Sequence, residues 1–279
     1  MSADLEAFLL RLQRETAVLV TVDKTRGSVP RESGAWMAIF SSATGGVIGT
    51  IGGGHLEWDA MRKARESLAT PGKTGEVWEQ SVTLGPSLGQ CCGGSLVLRF
   101  EHVDASHLMA LRERLREGYS PLALFGGGHV GRAIVHALAP LPFDVTWIDS
   151  RDEVFPEGLP SHVNTEHSEP VHVAVRDLIA GSAVLIMSFS HAEDLDIVAA
   201  CLQRQREQRD LGFLGLIGSR TKWATFRHRL EQRGFNPDEL ARVTCPIGLP
   251  GIAGKEPAVI AASVVAQLLL DRSSPPGGV

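Results

Sequence analysis

Two adjacent thiols set among glycines, in the run Gly89-Gln90-Cys91-Cys92-Gly93-Gly94, are the residues of this chain best suited to chemistry. A packing cysteine normally sits among apolar neighbours, whereas flanking glycine leaves room for solvent or a ligand to reach sulfur. Thiolate is a soft ligand for a transition metal, and a nucleophile that can accept and pass on another sulfur atom. Small residues at a turn and a strained vicinal disulfide are the structural alternatives, and both stay open here. Structural zinc is disfavoured, because no second Cys-x-x-Cys or His-x-x-x-His unit completes a tetrahedral set.

Two glycine turns add anion-binding potential. Gly52-Gly53-Gly54 precedes a helical pattern that begins near Leu56-Glu57, so its amides are expected to face outward at a helix N-terminus. His55 and Glu57 fall in that first turn, where they either touch a ligand or cap the helix. Upstream, Arg26-Gly27-Ser28-Val29-Pro30-Arg31 brings two fixed positive charges and the Ser28 hydroxyl into a loop stiffened by Pro30. Such a loop suits a phosphate or oxyanion, with Arg31 the foremost candidate, or is simply solvated.

The second turn, Gly126-Gly127-Gly128-His129-Val130-Gly131, follows an apolar strand and opens a helix, the context of a dinucleotide fingerprint. Gly126 would permit the turn, Gly128 the approach of a phosphate, and Gly131 close helix-strand packing. Asp149 ends the next strand, where a ribose-binding acid belongs. His191 follows a further strand and is either a site residue or a capping histidine. Arg220 and Lys222 form a charged rim or an ordinary solvated helix start, and Cys201 and Cys245 read as structural.

Positioning these residues requires two styles of structure. Leu5, Phe8, Leu9 and Leu12 recur with helical spacing, and short extended runs follow at 18–22, 35–40, 47–51, 77–84 and 95–100. Helices are expected at 56–68 and 106–116, giving a small mixed α/β domain over residues 1–118. A break at Glu117-Gly118-Tyr119-Ser120-Pro121 precedes strands at 122–125, 145–149, 183–187 and 213–217, alternating with helices at 130–138, 195–205 and 222–232. That rhythm implies a Rossmann-like parallel sheet over residues 119–279, closed by an apolar helix over 258–270 that suits a homodimer surface or a buried core.

At 279 residues and a formal net charge of −5, the chain has no basic excess to neutralise the phosphates of a nucleic acid. The 258–270 run is too short for a bilayer, which argues against a membrane protein. No secretory signal is evident near Met1, so a cytoplasmic location with free thiols is expected.

Taken together, Gly27 to Arg31, Ile51 to Glu57 and Leu84 to Gly94 resemble the xanthine dehydrogenase accessory protein family, XdhC/CoxI-like. Gly126 to Gly131, Ser190 to Asp196, Gly215 to Lys222 and Cys245 to Pro250 extend the resemblance over nearly the whole chain. It implies an accessory protein rather than an enzyme. Such a protein binds molybdenum cofactor in its molybdopterin form, protects it while a cysteine desulfurase replaces an oxo ligand by sulfur, and inserts it into xanthine dehydrogenase apoenzyme. On that reading Cys91 and Cys92 meet the molybdenum or carry sulfur. Gly52, Gly53, Gly54, His55, Glu57, Ser28 and Arg31 bind cofactor, and Gly126, Gly128, Gly131, Asp149 and His191 bind a second phosphate-bearing segment, NAD(P) or another nucleotide. An NAD(P)-dependent oxidoreductase and a thiol-based redox sensor are the competing functions.

Overall fold

The residues 17–22 alternate between two apolar faces, and this places strand β1 (Ala17–Arg26) at the centre of the first sheet. The computed structural model describes residues 3–41, 46–70, 75–85, 93–160 and 162–273. Around β1 lie β2 (Trp36–Phe40), β3 (Val47–Gly49), β4 (Val77–Thr83) and β5 (Ser95–Val103), in the antiparallel order β3-β2-β1-β5-β4. Val18, Val20 and Val22 pack with Met37, Ile39, Leu98 and Phe100 on the face covered by α2 (Gly54–Leu68), which contributes Leu56, Ala60 and Ala64.

The opposite face carries α1 (Ala3–Leu12). Its Phe8 is fully buried and lies 5.4 Å from the Trp36 ring and 6.0 Å from the Phe40 ring. Burying a side chain of this size stabilises by roughly 1.5–3 kcal/mol, so both faces of the sheet hold the unit together. After β5, Asp104 caps a 3-10 turn over Ala105–His107 by accepting from Ser106 N, and α3 (Leu108–Arg114) follows. The expected helix over 106–116 is therefore shorter and begins with that tighter turn.

A second compact unit begins at Gly118. Its strands are β6 (Ser120–Phe125), β7 (Phe143–Asp149), β8 (Val163–His167), β9 (Ala183–Ile186), β10 (Leu214–Leu216) and β11 (Val243–Thr244), all parallel, in the order β11-β10-β9-β6-β7-β8. Strand order reverses between β6 and β9, the doubly wound arrangement whose ligand crevice opens at the carboxyl ends of those strands. Leu122 and Leu124 face α4 (His129–Leu138) and α8 (Pro257–Ser273), whereas Ala123 and Phe125 face α5 (His191–Glu207), α6 (Arg220–Gln232) and α7 (Pro237–Leu240). The fold thus agrees with the expected small α/β domain followed by a Rossmann-like sheet. Strands β8 and β11 and helix α7 were not expected, because β8 is a mostly polar edge strand and the other two are only two and four residues long. Among the described residues no helix is long and apolar enough to cross a membrane.

His162, which precedes β8, is fully buried, and neither ring nitrogen has a hydrogen-bond partner among the described residues. An orphaned buried polar group costs about 1–3 kcal/mol. His162→Leu is therefore expected to raise the urea midpoint at neutral pH by a corresponding amount, and a lowered midpoint would show that the ring's shape outweighs its unmet polarity.

Candidate functional site

In the first unit the loop 26–31 meets Gly52 on one flank and Gly94 on the other. Residues 26–31 leave the end of β1 and run between two glycines. Gly94 N donates to Ser28 O at 3.1 Å, and Leu84 N donates to Gly94 O at 2.9 Å. A Cβ on Gly94 would collide with the carbonyl oxygens of Ser28 and Arg26, so only glycine admits this approach. On the other side, a Cβ on Gly52 would strike Pro30 Cβ, and Gly52 itself sits at φ +120°. Arg31 reaches the same turn, donating from Nη1 to Thr50 O at 3.4 Å while pairing with Glu32 at 3.2 Å. Cys91 and Cys92 lie outside the described residues. Gly94, two residues further on, is fixed against Ser28.

The glycine turn differs from the expectation in its donors. Glu57 bends back across the N-terminus of α2 and accepts from Ile51 N at 3.1 Å, Gly53 N at 3.0 Å and Thr50 Oγ1 at 2.6 Å. Gly52 N is met by Thr50 Oγ1 at 3.1 Å. The amides of Gly52 and Gly53 are thus spent on the chain's own groups, and Glu57 follows its capping reading. Gly52, Gly53 and Gly54 all have positive φ, which swings the backbone into the tight path that makes this capping possible. His55 is exposed and stacks on Trp58 at 5.6 Å; the indole is itself 55% exposed. Arg26 is exposed and has no ion pair among the described residues, and Ser28 lies beside it, also exposed.

In the second unit, Gly126 (φ +124°) passes so near Met187 O that a Cβ would overlap it, and Gly131 packs on Gly126 O in the same way. Both therefore serve the turn and the helix-strand contact, as their spacing suggested. Gly128 is open, with no atom near its Cβ direction. Asp149 is 2% exposed and accepts four hydrogen bonds: Gly127 N at 2.5 Å, Arg151 N at 2.9 Å, Arg151 Nε at 2.9 Å and Arg151 Nη2 at 3.0 Å. A carboxylate offers about four acceptor positions, so none remains for a ribose hydroxyl in this arrangement. Burial alone would raise the carboxyl's pKa, but the Arg151 guanidinium and the two amides outweigh it and hold it below the usual aspartate range.

The loops after β7 and β9 are tied to each other across the switch point. Ser150 Oγ donates to Glu193 at 2.7 Å, and the Arg151 guanidinium lies 4.4 Å above the exposed Phe189 ring. His191 is exposed at the start of α5, edge-on to Phe226 at 6.3 Å, and follows the N-cap Ser190, whose side chain accepts from Glu193 N. Beneath it lies a pair that the sequence reading missed. Asp194, 2% exposed, binds Lys222 Nζ at 2.6 Å and also accepts from Ser188 N and Ser188 Oγ at 2.8 Å each. An acid and a lysine each near a helix start were the available signal. Lys222 is therefore not a solvated rim residue, since its ammonium also donates to Ile217 O at 2.8 Å.

The remaining cysteines behave as structural thiols. Burial pushes Cys201 up to about 12, and Cys245 up to about 11 despite the nearby Lys222 charge. Among the described residues no three His, Cys, Asp or Glu side chains cluster as metal ligands do.

Comparison with known proteins adds the following. Residues 122–268 match the XdhC Rossmann domain, and residues 10–78 match the XdhC and CoxI family. The uncharacterized protein YqeB of Escherichia coli (strain K12) is 27% identical over 275 residues, which cover 98% of this chain and 47% of that protein. The chain thus spans about half the length of the curated relative it matches. A crystal structure of a xanthine dehydrogenase from Bacillus halodurans has the same fold, with a TM-score of 0.73 at 21% identity over 100% of this chain and 98% of that one.

Two measurements test the geometry. Gly52→Ala, which meets both a positive φ and the Pro30 side chain, is expected to cost more stability than Gly53→Ala, which meets only the backbone penalty of about 1–2 kcal/mol; equal losses in denaturant would refute the close approach to Pro30. Asp149 has a depressed pKa in the folded chain, so its contribution is present above the unfolded value near 3.9 and fades as pH falls through the folded one. Asp149→Asn should therefore lower stability by about 1–3 kcal/mol at pH 7 and by progressively less below pH 4. A deficit independent of pH would assign the loss to shape rather than charge.

Proposed function

This chain belongs to the XdhC and CoxI family, whose members serve the maturation of molybdenum hydroxylases, and from that premise we propose that it binds molybdenum cofactor, shields it during sulfuration by a cysteine desulfurase, and delivers it to a xanthine dehydrogenase apoenzyme. The observation that carries this reading is the packing of loop 26–31 between Gly52 and Gly94, beside the sequence that holds Cys91 and Cys92. One loop thereby joins the cationic residues to Gly52 and to Gly94, which follows the double-cysteine motif by two residues in sequence.

The residues fit such a group in two respects. Arg26 has no ion pair among the described residues, and with the Ser28 hydroxyl it offers donors for a phosphate, a task that Gly52 and Gly53 leave open by binding Glu57 and Thr50. Cys91 and Cys92 provide soft thiolate, suited to molybdenum and to sulfur. When bound, the cofactor supplies the metal centre on which the client's hydroxylation depends. The sulfur step asked of this chain is thiolate attack on the terminal sulfur of a desulfurase persulfide. A new S–S bond forms at Cys91 or Cys92, and the desulfurase cysteine leaves as thiolate. Arg31 is a positioning residue, fixing the loop through Thr50 O.

The saturated Asp149 carboxylate weighs against the oxidoreductase alternative, because a nicotinamide dinucleotide normally takes its ribose hydroxyls to that acid. A pairing of two copies through α8 is part of the proposal as well.

Protein purified anaerobically from cells that make molybdenum cofactor is expected to carry stoichiometric pterin, read as its fluorescent oxidation product, and to raise the activation of apo-xanthine dehydrogenase. Cys91→Ser or Cys92→Ser should abolish pterin retention or sulfuration with the thermal midpoint unchanged. Absent pterin together with no activation overturns the reading, and full activity in both variants removes the thiols from it.

A further inference from the structure

A cleft of about 750 Å³ opens in the second unit at the carboxyl ends of β10 and β11, between the loop 245–256 and α8. Its volume lies within the range of small-molecule sites. The loop is not free to collapse into it. Gly248 N donates to Gln267 Oε1 at 2.7 Å, and Leu249 N donates to Ser263 Oγ at 2.7 Å, so two polar side chains of α8 hold the loop open along one wall. Gly248 stands at φ +99° with its Cβ direction filled by Ser263 Oγ, which makes this seating specific to glycine.

The walls are apolar, and the charge on them is of one sign. Ile217, Ile247, Ile252 and Val259 line the interior, and the charged liners are Arg220 and Lys255. Neither has a carboxylate within ion-pairing distance among the described residues, whereas the neighbouring Lys222 is paired with Asp194. No Asp or Glu lines the cleft. Arg220 also opens α6, a helix of 13 residues, so the partial positive end of that helix adds to the same potential.

An apolar slot with two unpaired cations at its mouth selects a molecule with a flat, weakly polar body and an anionic end. We propose that this cleft binds a phosphate monoester of a planar heterocycle, a molecule of mononucleotide size, with Arg220 and Lys255 on the phosphate and the heterocycle against Ile217, Ile247 and Val259. The glycine turn of β6 is a separate place in the same sheet, and its acid is already spent on Arg151. The anion therefore enters on the β10 and β11 side of the sheet. The proposal does not rest on the cofactor reading, since a phosphate-ended pterin and a free nucleotide share this chemistry.

Isothermal titration of the full chain, prepared from cells that make no molybdenum cofactor, tests it with adenosine monophosphate and inorganic phosphate as probes. Saturable binding of the nucleotide at millimolar concentration or below is expected, weakened about tenfold or more by Arg220→Ala and by Lys255→Ala, since a charge-assisted hydrogen bond is lost in each. Arg112→Ala, which removes an exposed cation from the other unit, should leave it unchanged. Methyl resonances of Ile217 and Ile247 should move on titration. No saturable nucleotide binding, affinity in both cleft variants unchanged from that of the parent chain, or inorganic phosphate binding as tightly as the nucleotide would each overturn the proposal. Because the readout is nucleotide binding to cofactor-free protein, its failure leaves pterin retention standing as a separate question. Pterin content measured in the same two variants then tells a pterin phosphate in this cleft from a nucleotide.

Discussion

Ser28 and Pro30 can lie where they do only because residues 94 and 52 have no side chain. Everything proposed for the first unit depends on that pinch. The β1 strand ends in a loop whose carbonyl oxygens meet Gly94 on one flank and whose proline ring meets Gly52 on the other, so two distant stretches of chain are brought to one place by contact distance alone. A methyl group at either position would separate the cationic loop from one of its partners. The glycines here act through the volume they leave vacant, more than through the amides they present.

The same distinction separates what could be read in the sequence from what could not. The short extended runs at 18–22 and 95–100, and the strand-glycine-helix context of 122–138, announced both sheets, because burial leaves an apolar pattern in the sequence. Polar β8, two-residue β11 and four-residue α7 left no such period. Among the site residues, Gly126 and Gly131 do what their spacing implied. Asp149 and Lys222 were legible as chemistry-bearing residues, but not as residues already spoken for, whereas the capping role of Glu57 was one of its two readings. Whether a carboxylate faces a ligand or its own backbone depends on a few ångströms of loop path, and a linear sequence does not encode that distance in any single position.

In the second unit the switch crevice is braced by the chain's own charges. Asp149 holds Arg151, Arg151 covers Phe189, and Ser150 reaches Glu193, so the loops after β7 and β9 share one network of contacts. Beneath it, the buried Asp194–Lys222 pair joins α5 to α6 with its remaining lone pairs met by Ser188. Buried ions kept in this way gain little net stability over apolar residues but lose much if one partner is removed, so they fix the register of the helices that carry them. A scaffold with that rigidity can carry a ligand site elsewhere on the same sheet, and the open cleft at β10 and β11 is where such space remains.

The ladder between β1 and β5 also sets an order of events. It pairs Ala17 with Val103 and Arg26 with Ser95, so the strand that begins the first sheet finishes its pairing with the last strand of that unit to leave the ribosome. Until β5 arrives, β1 has an open flank of apolar residues and unmet amides, and Ser28 has no Gly94 to receive. Contacts between such distant residues close slowly, because the loop between them must be ordered first. Gly94 immediately precedes β5, so its contact with Ser28 forms only with the late, long-range pairing of β1 and β5. A chain cut before β5 would leave the Ser28 carbonyl without its glycine and the flank of β1 without its ladder.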